Sequence, residues 1–235
     1  MKKSTVAALI VFLVAIPATL LLGRSLSGRS YYISGTLVMV EALVPFILAF
    51  EGRKPQAREL VVLAVMCALA VAGRVAIPIP SFKAIFGIIM IAGIAFGPES
   101  GFLVGAISAL ASNFFYSQGP YTPWQMMAYG AGGMLAGFVF ARGRLPRKPV
   151  IMGIFGFLAV TFFVGPLLDT CSVFLVMSRI TLKGAMAFYI SGFPVNLRQA
   201  VATAIVLLVL GKPLLEKLDR IKTKYGILDD GGKEA

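Results

Sequence analysis

Apolar residues run through this chain in long blocks, separated by short polar and basic segments. Eight blocks predict helices: Val6 to Gly23, Ile33 to Phe50, Leu60 to Ile79, Ala84 to Phe96, Gly101 to Phe115, Trp124 to Ala141, Val150 to Leu168 and Val195 to Leu210. A helix needs about 20 apolar residues to cross a hydrocarbon layer roughly 30 Å thick. Most blocks approach that length, and almost no stretch between them is long enough for a soluble domain. The pattern therefore predicts one all-α integral membrane domain.

The breaks are specific. Ile77-Pro-Ile-Pro80 cannot continue a regular helix, because proline lacks the N–H donor and clashes with the preceding turn. Gly97-Pro-Glu-Ser100 predicts a tight turn, with Ser100 or Glu99 as the cap of the next helix. Asp169 to Gly192 is mixed, and predicts an extension of the seventh helix followed by a loop. From Gly211 the chain is charged, and predicts a helix end fraying into Asp229 to Ala235.

Composition agrees: 58% of the 235 residues are hydrophobic and the mean hydropathy is +0.89. The net charge of +12 raises the question of a nucleic-acid partner. The cations instead sort by side of the predicted bundle, fifteen against seven. The basic side holds both termini and is expected in the cytoplasm of a multi-pass cell-membrane protein. No compact basic patch on a soluble domain remains, so no nucleic acid is expected. Lys2 and Lys3 before the first block fit a signal peptide or a retained helix. No small-residue cleavage site follows, which favours a retained helix.

Histidine is absent, and the two cysteines, Cys67 and Cys171, are far apart in sequence. That removes the common general base and the usual metal-binding and disulfide patterns. No phosphate loop of the GxxxxGK[ST] form occurs, nor HExxH, GxSxG or paired carboxylates. No catalytic residue, metal or cofactor is expected, and inverted repeats are not evident.

The candidate chemistry centres on Asn113 to Gly137, NFFYSQGPYTPWQMMAYGAGGMLAG. An apolar helix ends there in an aromatic, Gly/Pro-broken loop and a second helix begins. Polar groups within a bilayer usually face the bundle interior or a cavity. Long basic side chains can instead snorkel to the headgroups, which suits Lys83, Arg179 and Lys183. Short amides cannot reach so far. Asn113, Gln125, Asn196 and Gln199 therefore predict an outward-facing pocket. Tyr121 and Trp124, among five aromatics in eleven positions, predict a lid or stacking platform for a small organic ligand.

Small residues recur every fourth position at Ala64, Ala68 and Ala72, at Gly101, Gly105 and Ala109, and at Gly133 and Gly137. Such stripes allow close helix approach. Most are expected to pack internally, and one is open to a partner. Glu41 falls in mid-membrane, either neutral or paired with Arg74.

With these residues in hand, the segment from about Arg58 to Lys212 resembles the substrate-binding S components of energy-coupling factor (ECF) vitamin transporters. The likeness is carried by the Ala64/Ala68/Ala72 stripe, the IPIP loop, AGIAFGPESGFLVGAISAL from Ala92 to Leu110, GPYTPWQM from Gly119 to Met126, and Asn196 with Gln199. It implies a six-helix substrate-binding core over residues 58–212, a cytoplasmic tail over 213–235 and two additional N-terminal transmembrane helices within 1–57. It implies vitamin binding from outside, and work with a transmembrane T component and two cytoplasmic ATPases. It also implies docking of Ala64, Ala68 and Ala72 on the T component, with reorientation in the membrane to release substrate. Trp124, Gln125, Asn196 and Gln199 would form the pocket, with Tyr121 and the loop from Pro78 to Lys83 as covers. The two extra N-terminal spans depart from the usual form. GPYTPWQM is similar to S components linked to cobalamin and related corrinoids, although a flat heteroaromatic vitamin would suit the same aromatic platform.

Two other classes compete. A self-sufficient secondary carrier would use Glu41 or Asp169 as its proton site. A membrane enzyme on lipid substrates is disfavoured by the missing nucleophile and Asp-rich motifs.

Overall fold

The computed structural model describes residues 10–16, 18–19, 30–52, 56–141, 143–177 and 179–226. Among the described residues there are seven helices and no strand. They are α1 (Ser30–Glu51), α2 (Ala57–Val75), α3 (Ile85–Phe96), α4 (Pro98–Tyr116), α5 (Thr122–Phe140), α6 (Pro149–Val176) and α7 (Leu182–Tyr225). A five-residue π turn, Val11–Ala15, falls where the first apolar block was expected, and most of the rest of that block lies outside the described residues. Helices α6 and α7 are each long and apolar enough to cross a membrane, with mean hydropathies of 2.3 and 1.7.

Helix α3 is the centre of the bundle. Its sequence, IFGIIMIAGIAF, is apolar all round, and every one of its 12 residues is buried. A helix apolar on every side belongs inside rather than at a polar surface. At 1.5 Å per residue it is about 18 Å long, too short to span the bilayer by itself. Helices α2, α4, α5 and α7 surround it.

Lipid tails are as apolar as this core, so close packing rather than transfer from water holds the helices together. Glycine makes that packing possible where α3, α4 and α5 meet. A Cβ at Gly101 would stand 2.5 Å from the Gly133 carbonyl oxygen and 2.7 Å from the Gly93 Cα. A Cβ at Gly137 would stand 2.5 Å from the Pro98 nitrogen. The two glycine stripes are thus internal seams, while Ala64, Ala68 and Ala72 remain exposed on α2.

Several boundaries differ from expectation. Helix α2 stops at Val75, before the two prolines. Gly97, at φ 92°, makes the sharp turn from α3 to α4, and Pro98 occupies the first turn of α4. The N-cap of α4 is Gly97, which has no side chain, so neither Ser100 nor Glu99 occupies the N-cap position. Helix α6 continues to Val176 through a π turn at Val160–Val164. Helix α7 begins at Leu182, where Thr181 Oγ1 accepts from the Gly184 N–H, and carries Pro194 and Pro213 inside it. Neighbouring helices let membrane helices tolerate interior proline. The charged tail from Gly211 is the expected helix end, a continuation of α7 to Tyr225, and the expected fray from Asp229 to Ala235 falls outside the described residues.

Helix α1 packs beside α4, α5 and α6. Leu43 joins Phe102 and Ala106, with Met126, Met127 and Met134 against them. A Cβ at Gly35 would lie 3.1 Å from the Phe174 ring and 3.2 Å from Trp124. Glu41 does not pair with Arg74. Thr19 Oγ1 donates to Glu41 Oε1 at 2.5 Å, while Glu41 Oε2 is buried with no hydrogen-bond partner among the described residues.

Candidate functional site

The central stretch folds into a hydrogen-bonded hub at one end of the bundle. Asn113, fully buried on α4, is its centre. Its Oδ1 accepts from Arg74 Nη1 at 2.9 Å, and its Nδ2 donates to Gln125 Oε1 at 2.8 Å and Thr122 Oγ1 at 3.1 Å. Thr122 in turn donates to Gln118 Oε1 at 2.9 Å, and Gln118 Nε2 donates to the Leu110 carbonyl at 3.0 Å. This use of every amide atom explains how so many polar groups fit at a helix end in apolar surroundings.

Arg74 lies in the last turn of α2, where a cation complements the helix dipole. Arg74 Nη1 also donates to Ser112 Oγ at 2.5 Å. The guanidinium lies over the Tyr116 ring, 4.8 Å from its centroid, and Tyr116 OH donates to the Arg74 carbonyl at 3.0 Å. Tyr129 is on the other side, 5.7 Å from the guanidinium carbon, and meets Phe86 edge-on at 4.5 Å.

These groups border a cavity of about 270 Å³. Arg74, Lys83, Asn196 and Gln199 supply its polar groups; Phe86, Tyr116 and Tyr129 supply aromatic walls; Val160, Val164 and Leu168 close the side toward α6. Asn196 Nδ2 donates to Asp169 Oδ2 at 2.7 Å. Gln199 Nε2 donates to the Lys83 carbonyl at 2.7 Å, tying the loop after the prolines to α7. Lys83 Nζ donates to the Ile77 carbonyl. Gly165 lets α6 approach Asn196, since a Cβ there would overlap the amide.

The residues expected to bind ligand separate into groups. Asn196 and Gln199 line the cavity, as do Ser81 and Lys83 of the expected covering loop. Asn113 and Gln125 lie behind it and hold Arg74. Tyr121 and Trp124 are not among the cavity's lining residues. Tyr121 OH donates to the Ser117 carbonyl at 2.7 Å. Trp124 is buried, 5.3 Å from the Phe174 ring, and its Nε1 has no hydrogen-bond partner among the described residues. Phe86 and Tyr129 were not singled out from sequence. Phe86 is hidden in an unbroken apolar block, while Tyr129, a hydroxyl-bearing aromatic inside the Gly-rich start of α5, was the available signal.

A second concavity is wholly different. A groove of about 660 Å³ runs between α2 and α4, lined by Ala64, Ala68 and Ala72 with Leu103, Ile107 and Phe115. It has no charged lining residue.

Comparison with known proteins yields one family. The family model described as ECF-type riboflavin transporter, S component, matches residues 54–216. No curated protein and no solved structure matches the chain.

Proposed function

The chain belongs to the S-component family of ECF-type riboflavin transporters, and from that premise we propose that it captures a flat heteroaromatic vitamin of the flavin kind in the Arg74–Gln199 cavity. As a family member it is a membrane transporter subunit, not an enzyme. The observation that carries the ligand reading is the cavity's mixture of aromatic walls and two amides at one end of an otherwise apolar bundle. Such a site suits a planar ring system with polar edges. The small cavity and the family match favour a flavin over a corrinoid, whose macrocycle is far larger than the space available.

In this reading the cavity end faces outward and both termini face the cytoplasm, in keeping with the basic excess near the termini. The Ala64/Ala68/Ala72 groove receives the T component, and two ATPases on other chains drive release. Residues 58–212 are the binding core and residues 1–57 an appendage to it.

The test is mass spectrometry of small molecules released from the detergent-purified chain, followed by riboflavin titration. Near one flavin per chain is expected. A single lost hydrogen bond weakens binding by about 1 kcal/mol or somewhat more, so Gln199→Ala should raise the riboflavin Kd about tenfold. A released corrinoid, or an unchanged Kd in Gln199→Ala, would move the ligand or the pocket elsewhere.

A further inference from the structure

The cavity contains two cations and no carboxylate. Arg74 and Lys83 both line it, and each is only half-buried. Neither has a carboxylate within ion-pair distance among the described residues. The nearest acid in the sequence of the lining helices, Asp169, is held by Asn196 Nδ2 at 2.7 Å and is absent from the lining. Arg74 spends one nitrogen on Ser112 and Asn113 and rests on Tyr116, yet these neutral partners leave its charge uncompensated. Lys83 has one bond to a backbone carbonyl and a Tyr116 ring 5.9 Å away.

Half-buried charges keep part of their hydration, but one drawn into an apolar bundle with no acid beside it gains from a counter-charge. The wider setting has the same sign. Arg198 follows Asn196 by two residues on α7, so a third cation lies near the two that line the cavity. Basic residues are depleted on the outer side of membrane proteins, which makes their retention in a cavity a feature needing a chemical reason. A lining of one sign in a low-dielectric cleft concentrates ligands of the other.

We propose that the ligand of this cavity carries an anionic group, a carboxylate or phosphate on a flat aromatic body, which Arg74 and Lys83 neutralise. The inference rests on the vitamin-binding reading and refines it. Phe86, Tyr116 and Tyr129 take the ring, and the cations take the acid. A guanidinium whose position is set by Ser112 and Asn113 is suited to an oxyanion, because its fork of donors is held before the ligand arrives.

The experiment uses the full chain in detergent and two matched pairs of probes: riboflavin against flavin mononucleotide, and nicotinamide against nicotinate. Affinities are measured at low and high salt for the native chain and for Lys83→Met, which keeps the apolar stem, with Arg74→Gln as the second variant. The expected result is at least a tenfold preference for the acidic member of one pair. The preference should shrink in high salt and in Lys83→Met. Preference for flavin mononucleotide supports both the flavin reading and the anionic ligand, with phosphate as the acid. Preference for nicotinate with no flavin binding sinks the flavin reading and keeps the anionic one, with carboxylate as the acid. Riboflavin bound as tightly as its phosphate, or a preference untouched by both substitutions, overturns the inference and leaves the flavin reading standing. Binding of none of the four overturns both.

Discussion

Asn113 joins three helices with one side chain. Its amide bonds Arg74 at the end of α2 and both Thr122 and Gln125 at the start of α5, while its own backbone belongs to α4. Removing it strands several buried donors and acceptors, each worth about 1–3 kcal/mol when left unsatisfied. Asn113→Ala should therefore lower the Tm in detergent by about 5 °C, taking roughly 2–4 °C per kcal/mol for a chain of this size. Riboflavin affinity should fall as well, because Arg74 loses its orientation although Asn113 itself does not line the cavity. An unchanged Tm with unchanged affinity would show that the hub holds without it. Gly101 and Gly133 illustrate the opposite residue-scale demand. Their role is the absence of a side chain, since each backbone sits where the other's Cβ would be.

At the scale of the element, the small-residue stripes differ in what they face. Gly101, Gly105, Gly133 and Gly137 are buried in the α3–α4–α5 seam, whereas Ala64, Ala68 and Ala72 are exposed in the groove beside α4. A bulky residue in the groove should leave the cavity untouched, because none of the three alanines lines it. Ala68→Trp is expected to bind riboflavin normally and to lose co-purification with a T component. Assembly that survives the indole would place the docking face elsewhere. Helix α3 gives a second element-scale lesson. It runs from the cavity, at Ile85 and Phe86, to a pair of cations at its far end. Arg147 Nη2 donates to the Ile94 carbonyl at 3.2 Å and Lys222 Nζ to the Ala95 carbonyl at 2.7 Å, while Arg147 also meets Asp219 at 3.3 Å. Those bonds satisfy carbonyls that a helix end leaves unpaired.

For the whole molecule, α1 is laid against the outside of the bundle, with Phe50 reaching the main core. It covers Phe102 and Trp124 but contributes no residue to the cavity. A chain lacking residues 1–52 should lose thermal stability and keep its riboflavin affinity within about threefold, under 1 kcal/mol. A larger loss of affinity would make the N-terminal region part of the binding unit. Glu41, inside this helix, accepts from Thr19 and is not bonded to the cavity's arginine among the described residues.

Much of this was legible in the chain itself. Block length and mean hydropathy determined an all-helical membrane protein, and the IPIP and Gly97-Pro98 breaks marked where helices are interrupted, though not the exact end of α2 at Val75, because both depend on local sterics and on backbone donors. The amides Asn196 and Gln199 were legible as cavity groups because a short polar side chain inside a bilayer has few other places to go. Spacing alone did not separate the stripes: the family resemblance pointed to the alanines as the open one, and the tertiary structure shows both glycine stripes packed inward and Ala64, Ala68 and Ala72 exposed. It alone decided that Trp124 packs on Phe174 while Phe86 and Tyr129 wall the cavity. An aromatic in an apolar run has no sequence signal for direction, and its neighbours come from helices distant along the chain.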